Sequence, residues 1–142
     1  MQDTRYKIQE KVKTTAALMA AVLVLSDQTV KHIFSDSSRF YCNPVGPWGI
    51  PVDNGALIAV ILFVLVSAGY LFPKSSGAPF GIAFALLFAG GISNLLDRIL
   101  FGCVRDFALV YWFPAFNLAD TLLTVGAMMF LFASLQRKTP LE

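Results

Sequence analysis

The chain has 142 residues, of which 56% are hydrophobic and only 14% charged, and its mean hydropathy is +0.66. That is too apolar and too poor in charge for a water-soluble domain of this size, so one membrane domain covering residues 1–142 is the expectation. The formal net charge is +2, and the basic residues gather mostly at the two ends rather than along a stripe, which excludes nucleic acid as a partner.

The N-terminal stretch, residues 1–13, is polar and mixed in charge. The apolar run that follows has no small-residue cleavage site before Asp27, so it reads as a retained first span and not a removed leader. Four windows, residues 14–34, 55–72, 79–100 and 116–135, each approach the ~20 apolar residues needed to cross ~30 Å of hydrocarbon. The predicted fold is therefore all-α, with four transmembrane helices. Between the first two windows lies FYCNPVGPWGIPV, residues 40–52, where aromatic and β-branched residues mix with Gly and Pro. This composition predicts a small β-like element at the interface, with Trp48 at headgroup depth. Gly102 and Pro114 interrupt the segment 101–115, and Pro114 is expected just before the fourth helix.

Orientation follows from Lys and Arg, which are in excess on cytoplasmic flanks. If the spans alternate, Arg5, Lys7, Lys11, Lys13, Lys74, Arg137 and Lys138 fall on one side. The other side holds Arg39 and Arg105 in its connecting segments, with Lys31 and Arg98 just inside the spans. Both termini are then cytoplasmic, and the longer connections, 35–54 and 101–115, lie outside with the β-like element. Function tends to sit on the more elaborate face. No internal repeat or pair of similar halves points to a carrier.

Ionisable groups inside spans cost about 2.5–3.5 kcal/mol each on insertion scales and require a partner or water. Asp27 and Lys31 are four apart on the first helix and can pair across one turn. In the third, Asn94 and Arg98 share a face, with Asp97 displaced around the helix. Asp106 follows in the outer segment, and Asp120 lies one turn into the fourth helix, so the topology brings both to one membrane face. Two such carboxyl groups cannot easily both ionise. Sharing a proton, they can divide the work of peptide hydrolysis as base and acid, without a metal or other cofactor. His32 is the only histidine, which leaves little material for a Ser-His-Asp triad or a zinc site. On position alone, a non-enzymatic four-helix transporter or proton relay accounts for the aspartates as well as hydrolysis does.

Three blocks then resemble the lipoprotein signal peptidase (signal peptidase II) family. Gly90-Gly91-Ile92-Ser93-Asn94-Leu95-Leu96-Asp97-Arg98 is similar to the family's GGxxGNxxDR. Gly102-Cys103-Val104-Arg105-Asp106-Phe107 is similar to GxVxDF, and Phe116-Asn117-Leu118-Ala119-Asp120 to FNxAD. Ser26-Asp27-Gln28-Thr29-Val30-Lys31 resembles the first-helix D-x-x-x-K element. The resemblance implies a bacterial cytoplasmic-membrane aspartic endopeptidase, its site near the extracytoplasmic face. Such an enzyme removes signal peptides from prolipoproteins, cutting before a cysteine that bears a diacylglyceryl group. It implies Asp106 and Asp120 as the catalytic pair, with Asn94, Arg98 and Asn117 lining the site and Asp27, Lys31 and Asn43 as further polar positions. Lipid-modified prolipoprotein and membrane lipids are the implied partners, and a monomer is the expectation. Ser93 stands where the family usually has Gly, and Asn43-Pro44-Val45-Gly46 has one residue more than the family's N-x-G spacing.

Cys42 and Cys103 lie in the two outer segments, in a compartment where disulfides persist. A bridge between them would tie the β-like segment to the loop carrying Asp106. The alternative is two free thiols serving as small apolar residues.

Overall fold

A computed structural model of the chain describes residues 2–35, 41–46, 50–72 and 77–136. Trp48 and the orienting charges Arg39, Lys74, Arg137 and Lys138 lie outside the described residues. Four helices dominate: α1 (Gln2–Ser35), α2 (Asn54–Leu71), α3 (Ala78–Phe101) and α4 (Leu118–Gln136). Between them run four short strands, β1 (Tyr41–Asn43), β2 (Val104–Asp106), β3 (Ala108–Val110) and β4 (Phe113–Phe116). Three helices, α1, α3 and α4, are long and apolar enough to cross a membrane, while α2 is apolar but shorter.

Helix α1 starts well before the apolar window at residue 14 because its polar first turns are stitched by Lys7–Asp3 and Lys13–Glu10 ion pairs, both 2.8 Å. Such exposed pairs at i,i+3 and i,i+4 spacing each add a few tenths of a kcal/mol to a helix. The Asp53 carboxylate accepts from Ala56 N–H at 3.1 Å and so caps α2. At the far end of α3, Gly102 takes φ +72° and its N–H donates to Arg98 O. This left-handed C-cap, which suits Gly, stops the helix and turns the chain straight into β2.

Helix α3 is the hub, packing on α4 most extensively and then on α1 and α2. Its contact with α4 is close: a Cβ on Gly90 would overlap the Ala119 carbonyl oxygen and lie 2.7 Å from Leu123 Cγ. Small residues let α1, α3 and α4 approach, with Ala16, Ala20, Ala85 and Ala89 in one core cluster beside Leu86 and Leu122. A second cluster joins α2, α3 and α4 through Ala68, Phe80 and Phe84, the last meeting Phe130 edge-on at 5.5 Å. Large apolar side chains such as Leu25, Phe63, Val66 and Leu131 point outward, whereas Asp27, Lys31, Ser93, Asp97, Asp106 and Asn117 are buried. Apolar outside and polar inside is the distribution expected where the solvent is hydrocarbon.

Strand β1 pairs antiparallel with β2, setting Tyr41 opposite Asp106, Cys42 opposite Arg105 and Asn43 opposite Val104. Strands β3 and β4 form a second, irregular ladder. Two expectations are corrected there. Pro114 lies within β4, not in a lead-in to the helix, and α4 begins at Leu118 rather than at residue 116. Pro tolerates this strand because the ladder slips register between Ala108 and Val110, and a two-stranded ribbon consists only of edges. The Cys42 and Cys103 sulfurs are bonded, with Cα atoms 5.6 Å apart, and no free cysteine remains.

Candidate active site

Asp106 ends β2 and Asp120 lies in the first turn of α4, and the chain between them closes on itself through the β3–β4 ladder. Asn117 sets the position of both. Its Oδ1 accepts from Asp120 N–H at 3.0 Å, while Asp120 Oδ2 accepts from Asn117 N–H at 3.2 Å. This is a reciprocal cap at the N-terminus of α4, and it fixes the Asp120 side chain relative to the helix start. The other end of the same amide, Asn117 Nδ2, donates to Asp106 Oδ1 at 2.7 Å. One residue thus donates to both carboxyl groups, to Asp106 from its side chain and to Asp120 from its backbone.

The second oxygen of each carboxyl is also held. Asn43 Nδ2 donates to Asp106 Oδ2 at 3.0 Å, and Asn94 Nδ2 donates to Asp120 Oδ1 at 2.8 Å. The Asn94 orientation follows from Lys31, whose ammonium can only donate. Lys31 Nζ donates to Asn94 Oδ1 at 3.1 Å, so the Asn94 NH₂ must face Asp120. The remaining Lys31 contacts go to Asp27 Oδ2 at 2.7 Å and Asp97 Oδ2 at 3.1 Å, giving a fully buried cation a partner for each of its three protons.

Behind this layer lies a second one that braces it. Asp27 Oδ1 accepts from Ala119 N–H at 3.0 Å, tying α1 to the first turn of α4, and Asp27 Oδ2 accepts from Ser93 Oγ. Asp97 accepts from the Arg105 backbone N–H at 3.0 Å and from Arg105 Nη2 at 2.8 Å, and Gln28 bonds Ser93, Asp97 and Arg105 together. Among the described residues no buried side-chain nitrogen or oxygen lacks a partner. Arg98 reaches across to the outer segment instead, its Nη2 donating to Val45 O at 2.8 Å and its Nη1 to Asn54 Oδ1 at 3.2 Å. Its charge interacts with both Asp106 and Asp120.

Burial pushes the Asp106 carboxyl up to about 6 from the ordinary 3.8. The Asn43 amide opposes that rise, the Asp120 charge adds to it, and Asn117 and Lys31 oppose it. A carboxyl that titrates near neutrality beside a second carboxyl is able to exchange protons with water or substrate at working pH.

A protein-family model described as signal peptidase (SPase) II matches residues 19–136, most of the chain. The chain belongs to the signal peptidase II family. A lipoprotein signal peptidase of Ectopseudomonas mendocina (strain ymp) is 30% identical over 139 residues, covering 79% of this chain and 82% of that one. One from Staphylococcus aureus (strain JH9) is 31% identical over 144 residues, covering 86% and 88%. Two solved bacterial membrane enzymes, both 28% identical, share the fold. One superposes with TM-score 0.81 over 91% of this chain and 94% of its own, the other with 0.76 over 89% and 95%. Signal peptidase II proteins are proteases, and this member has apolar helices suited to a bacterial membrane.

The structure brings Asp106, Asp120, Asn94, Asn117, Asn43 and Lys31 into one connected network, with Asp27 one step behind and Arg98 at its outer edge. Sequence reasoning took Ser93 as a departure from the family and gave Gln28 and Arg105 no role. Ser93 and Gln28 together satisfy Asp27, Asp97 and Arg105, and the one sequence signal for this is the i,i+4 spacing that sets Ser93 on the same face of α3 as Asp97.

Proposed function

We propose that the protein is a lipoprotein signal peptidase acting as an aspartic endopeptidase. It removes signal peptides from diacylglyceryl-modified bacterial prolipoproteins, cutting before the lipidated cysteine. The observation that carries this reading is Asn117, which donates to both carboxyl groups, to Asp106 Oδ1 from its side-chain Nδ2 and to Asp120 Oδ2 from its backbone N–H, while its Oδ1 accepts from Asp120 N–H. In the proposed reaction the ionised member of the pair takes a proton from water as its oxygen attacks the scissile carbonyl carbon. The protonated member polarises that carbonyl and then gives its proton to the leaving amide nitrogen, so the pair ends with one shared proton, as it began. The two titrate as a unit. Asn94, Asn117 and Asn43 aim the carboxyl groups, and Arg98, Asp27 and Lys31 set the field around them.

The same reading makes α2 a fourth span. Its 18 residues contain no charge and reach roughly 27 Å at 1.5 Å per residue. Both termini are then cytoplasmic, because Lys7, Lys11 and Lys13 flank α1 at its start, and the four strands lie on the extracytoplasmic side with the dyad. The protein works as a single membrane domain and as a monomer, one chain being sufficient to supply Asp106, Asp120 and the groups that hold them.

The test is incubation of purified protein with a diacylglyceryl-modified precursor peptide beside Asp106→Asn and Asp120→Asn variants. Cleavage by the native chain and by neither variant is expected. Turnover retained in either variant would sink the dyad, and a native chain that leaves a lipidated precursor intact would sink the function.

A further inference from the structure

The family's GxVxDF block leaves two positions open, and in this chain both are filled by groups that hold the strand carrying Asp106. Cys103 is bonded to Cys42 on β1. Arg105 is locked to Asp97 through its backbone N–H and its guanidinium, with the guanidinium 4.3 Å above the Phe101 ring. Side chains alternate along a strand, so Arg105 projects from one face of β2 while Val104 and Asp106 project from the other, and Cys103 lies in the bend just before the strand. On β1 the register sets Asn43 opposite Val104, which places its amide on the Asp106 face, one diagonal step away. Cys42, its neighbour, falls on the reverse face opposite Arg105, where it is bonded to Cys103. The disulfide thus sits directly behind the Asn43–Asp106 contact.

We propose that the Cys42–Cys103 disulfide is a positioning element of the candidate site: it locks β1 in the register that delivers the Asn43 amide to Asp106 Oδ2. This inference rests on Asp106 being half of the catalytic pair. Without the bond, β1 is a three-residue strand in a two-stranded ladder, and a two-stranded ladder alone is marginal in water. Its other described ties are on the C-terminal side, the Arg98 bond to Val45 O and the turn in which Val45 N–H donates to Asn43 Oδ1. A slip by one residue would turn Asn43 to the reverse face and replace its amide with a side chain that cannot donate in the same way. The bond closes a separation of 61 residues between the first outer segment and the loop after α3, so the site is assembled fully only where disulfides persist. Cys42 is exposed, which leaves the bond open to a reductant from outside.

A merely structural staple and a positioning one differ in their effect on the pH profile. The groups facing Asp106 are Asn43 on β1, Asn117 and Asp120 at the start of α4, Lys31 on α1 and Arg98 on α3. Of these only Asn43 is held by the disulfide. Its N–H favours the ionised carboxyl, so its loss leaves burial less opposed, and the limb of the kcat/KM profile that reports Asp106 moves to higher pH. A hydrogen bond to a charged group is worth a shift of about one pH unit.

The experiment records the pH profile of cleavage for five samples of the full chain in detergent, beside an Asp106→Asn control. They are native protein, native protein treated with a phosphine, the Cys42→Ser/Cys103→Ser variant, Asn43→Ala with the disulfide intact, and Asn43→Ala combined with the double cysteine substitution. The phosphine takes up the oxygen of one water to become its oxide and leaves two thiols, which supplies the two electrons and two protons. Expected is an upward shift of about one pH unit on phosphine treatment, in the double cysteine variant and in Asn43→Ala alike. No further shift is expected when Asn43→Ala is combined with the double cysteine substitution, because both changes remove the same contact. A limb that stays in place while activity falls equally at every pH overturns the proposal. Unfolding on reduction also overturns it, since the bond would then serve the fold. An Asp106→Asn control separates the failures: if it still cuts, the dyad reading is wrong, whereas an inactive control with an unshifted limb condemns only the disulfide inference.

Discussion

Replacing Asp106 with Asn should make the protein more stable at neutral pH, and the gain should vanish in acid. Asp106 is 1% exposed, and its carboxyl titrates at about 6 in the fold against 3.8 ordinarily. Below about pH 4 the group is neutral in folded and unfolded chains alike, and burial carries no penalty. As pH rises from about 4 to about 6 the unfolded chain releases the proton while the folded chain retains it, so the unfolded state is favoured. Above about 6 the difference is complete. A gap of about two pH units at 1.36 kcal/mol each amounts to about 3 kcal/mol of lost stability. The amide introduced by Asp106→Asn would carry no charge and lose nothing across this window. It would set one NH₂ against a donor, either Asn43 or Asn117, costing about 1 kcal/mol at any pH. The readout is therefore the swing: Asp106→Asn minus native stability should rise by about 3 kcal/mol between pH 4 and pH 7, on the order of 10 °C in Tm. Thermal unfolding of both proteins in the same detergent at stepped pH measures it. A difference constant within about 1 kcal/mol over that range would refute the claim that a charged Asp106 is held in a buried site.

Three other substitutions probe the scaffold. Lys31→Met removes the common partner of Asp27, Asp97 and Asn94, leaving buried charge uncompensated, and should cost about 3–5 kcal/mol in thermal unfolding and release the Asn94 amide from Asp120. Ser93→Gly restores the residue usual in the family, yet it should destabilise by roughly 2–3 kcal/mol, because the hydroxyl bonds both Asp27 and Gln28 and a helical Gly adds its own penalty. Gly90→Ala must displace the first turn of α4 at Ala119; a loss of about 1–3 kcal/mol is expected, with cleavage falling further than stability because Asp120 lies on that turn. Cleavage rates normalised to folded protein distinguish that case from simple unfolding.

The apolar windows made three membrane-competent helices legible, because hydrocarbon leaves a backbone few alternatives to a long apolar helix. The polar extension of α1 was not legible from hydropathy, since its helix depends on pairs such as Lys7–Asp3 and not on burial. The β3–β4 ladder is hidden behind Gly102 and Pro114, which read as interruptions, although β-branched Val110 and aromatic Phe113 flank Tyr111 and Trp112. At the site, Asp106, Asp120 and Asn94 stand out in the sequence because polar groups in an apolar chain demand partners, whereas Asn117 enters only through the FNxAD resemblance. Arg105 did not. It counted as a loop charge against the orientation, whereas it is buried and neutralised by Asp97, eight residues earlier across the Gly102 turn. A pair made by a tight turn leaves no helical spacing to read.

The network also explains how Asp106 is kept near the point of exchanging a proton beside a second carboxyl group. Lys31 and the backbone N–H of Asp120 are obligate donors, so the amides of Asn94 and Asn117 are each fixed with oxygen toward them and NH₂ toward a carboxyl. Every oxygen of Asp106 and Asp120 therefore accepts one hydrogen bond that cannot reverse without breaking a bond elsewhere. Each oxygen keeps a second lone pair, and only there can a proton, a water or a substrate carbonyl's partner be placed. Burial and the proximity of two like charges favour the proton, and the fixed amides favour its loss. At Asp106 the opposition settles at about 6, close enough to neutrality for the group to change state within a catalytic cycle. The asparagines act by holding that balance, which is why removing one of them should move a pH profile and not merely lower a rate.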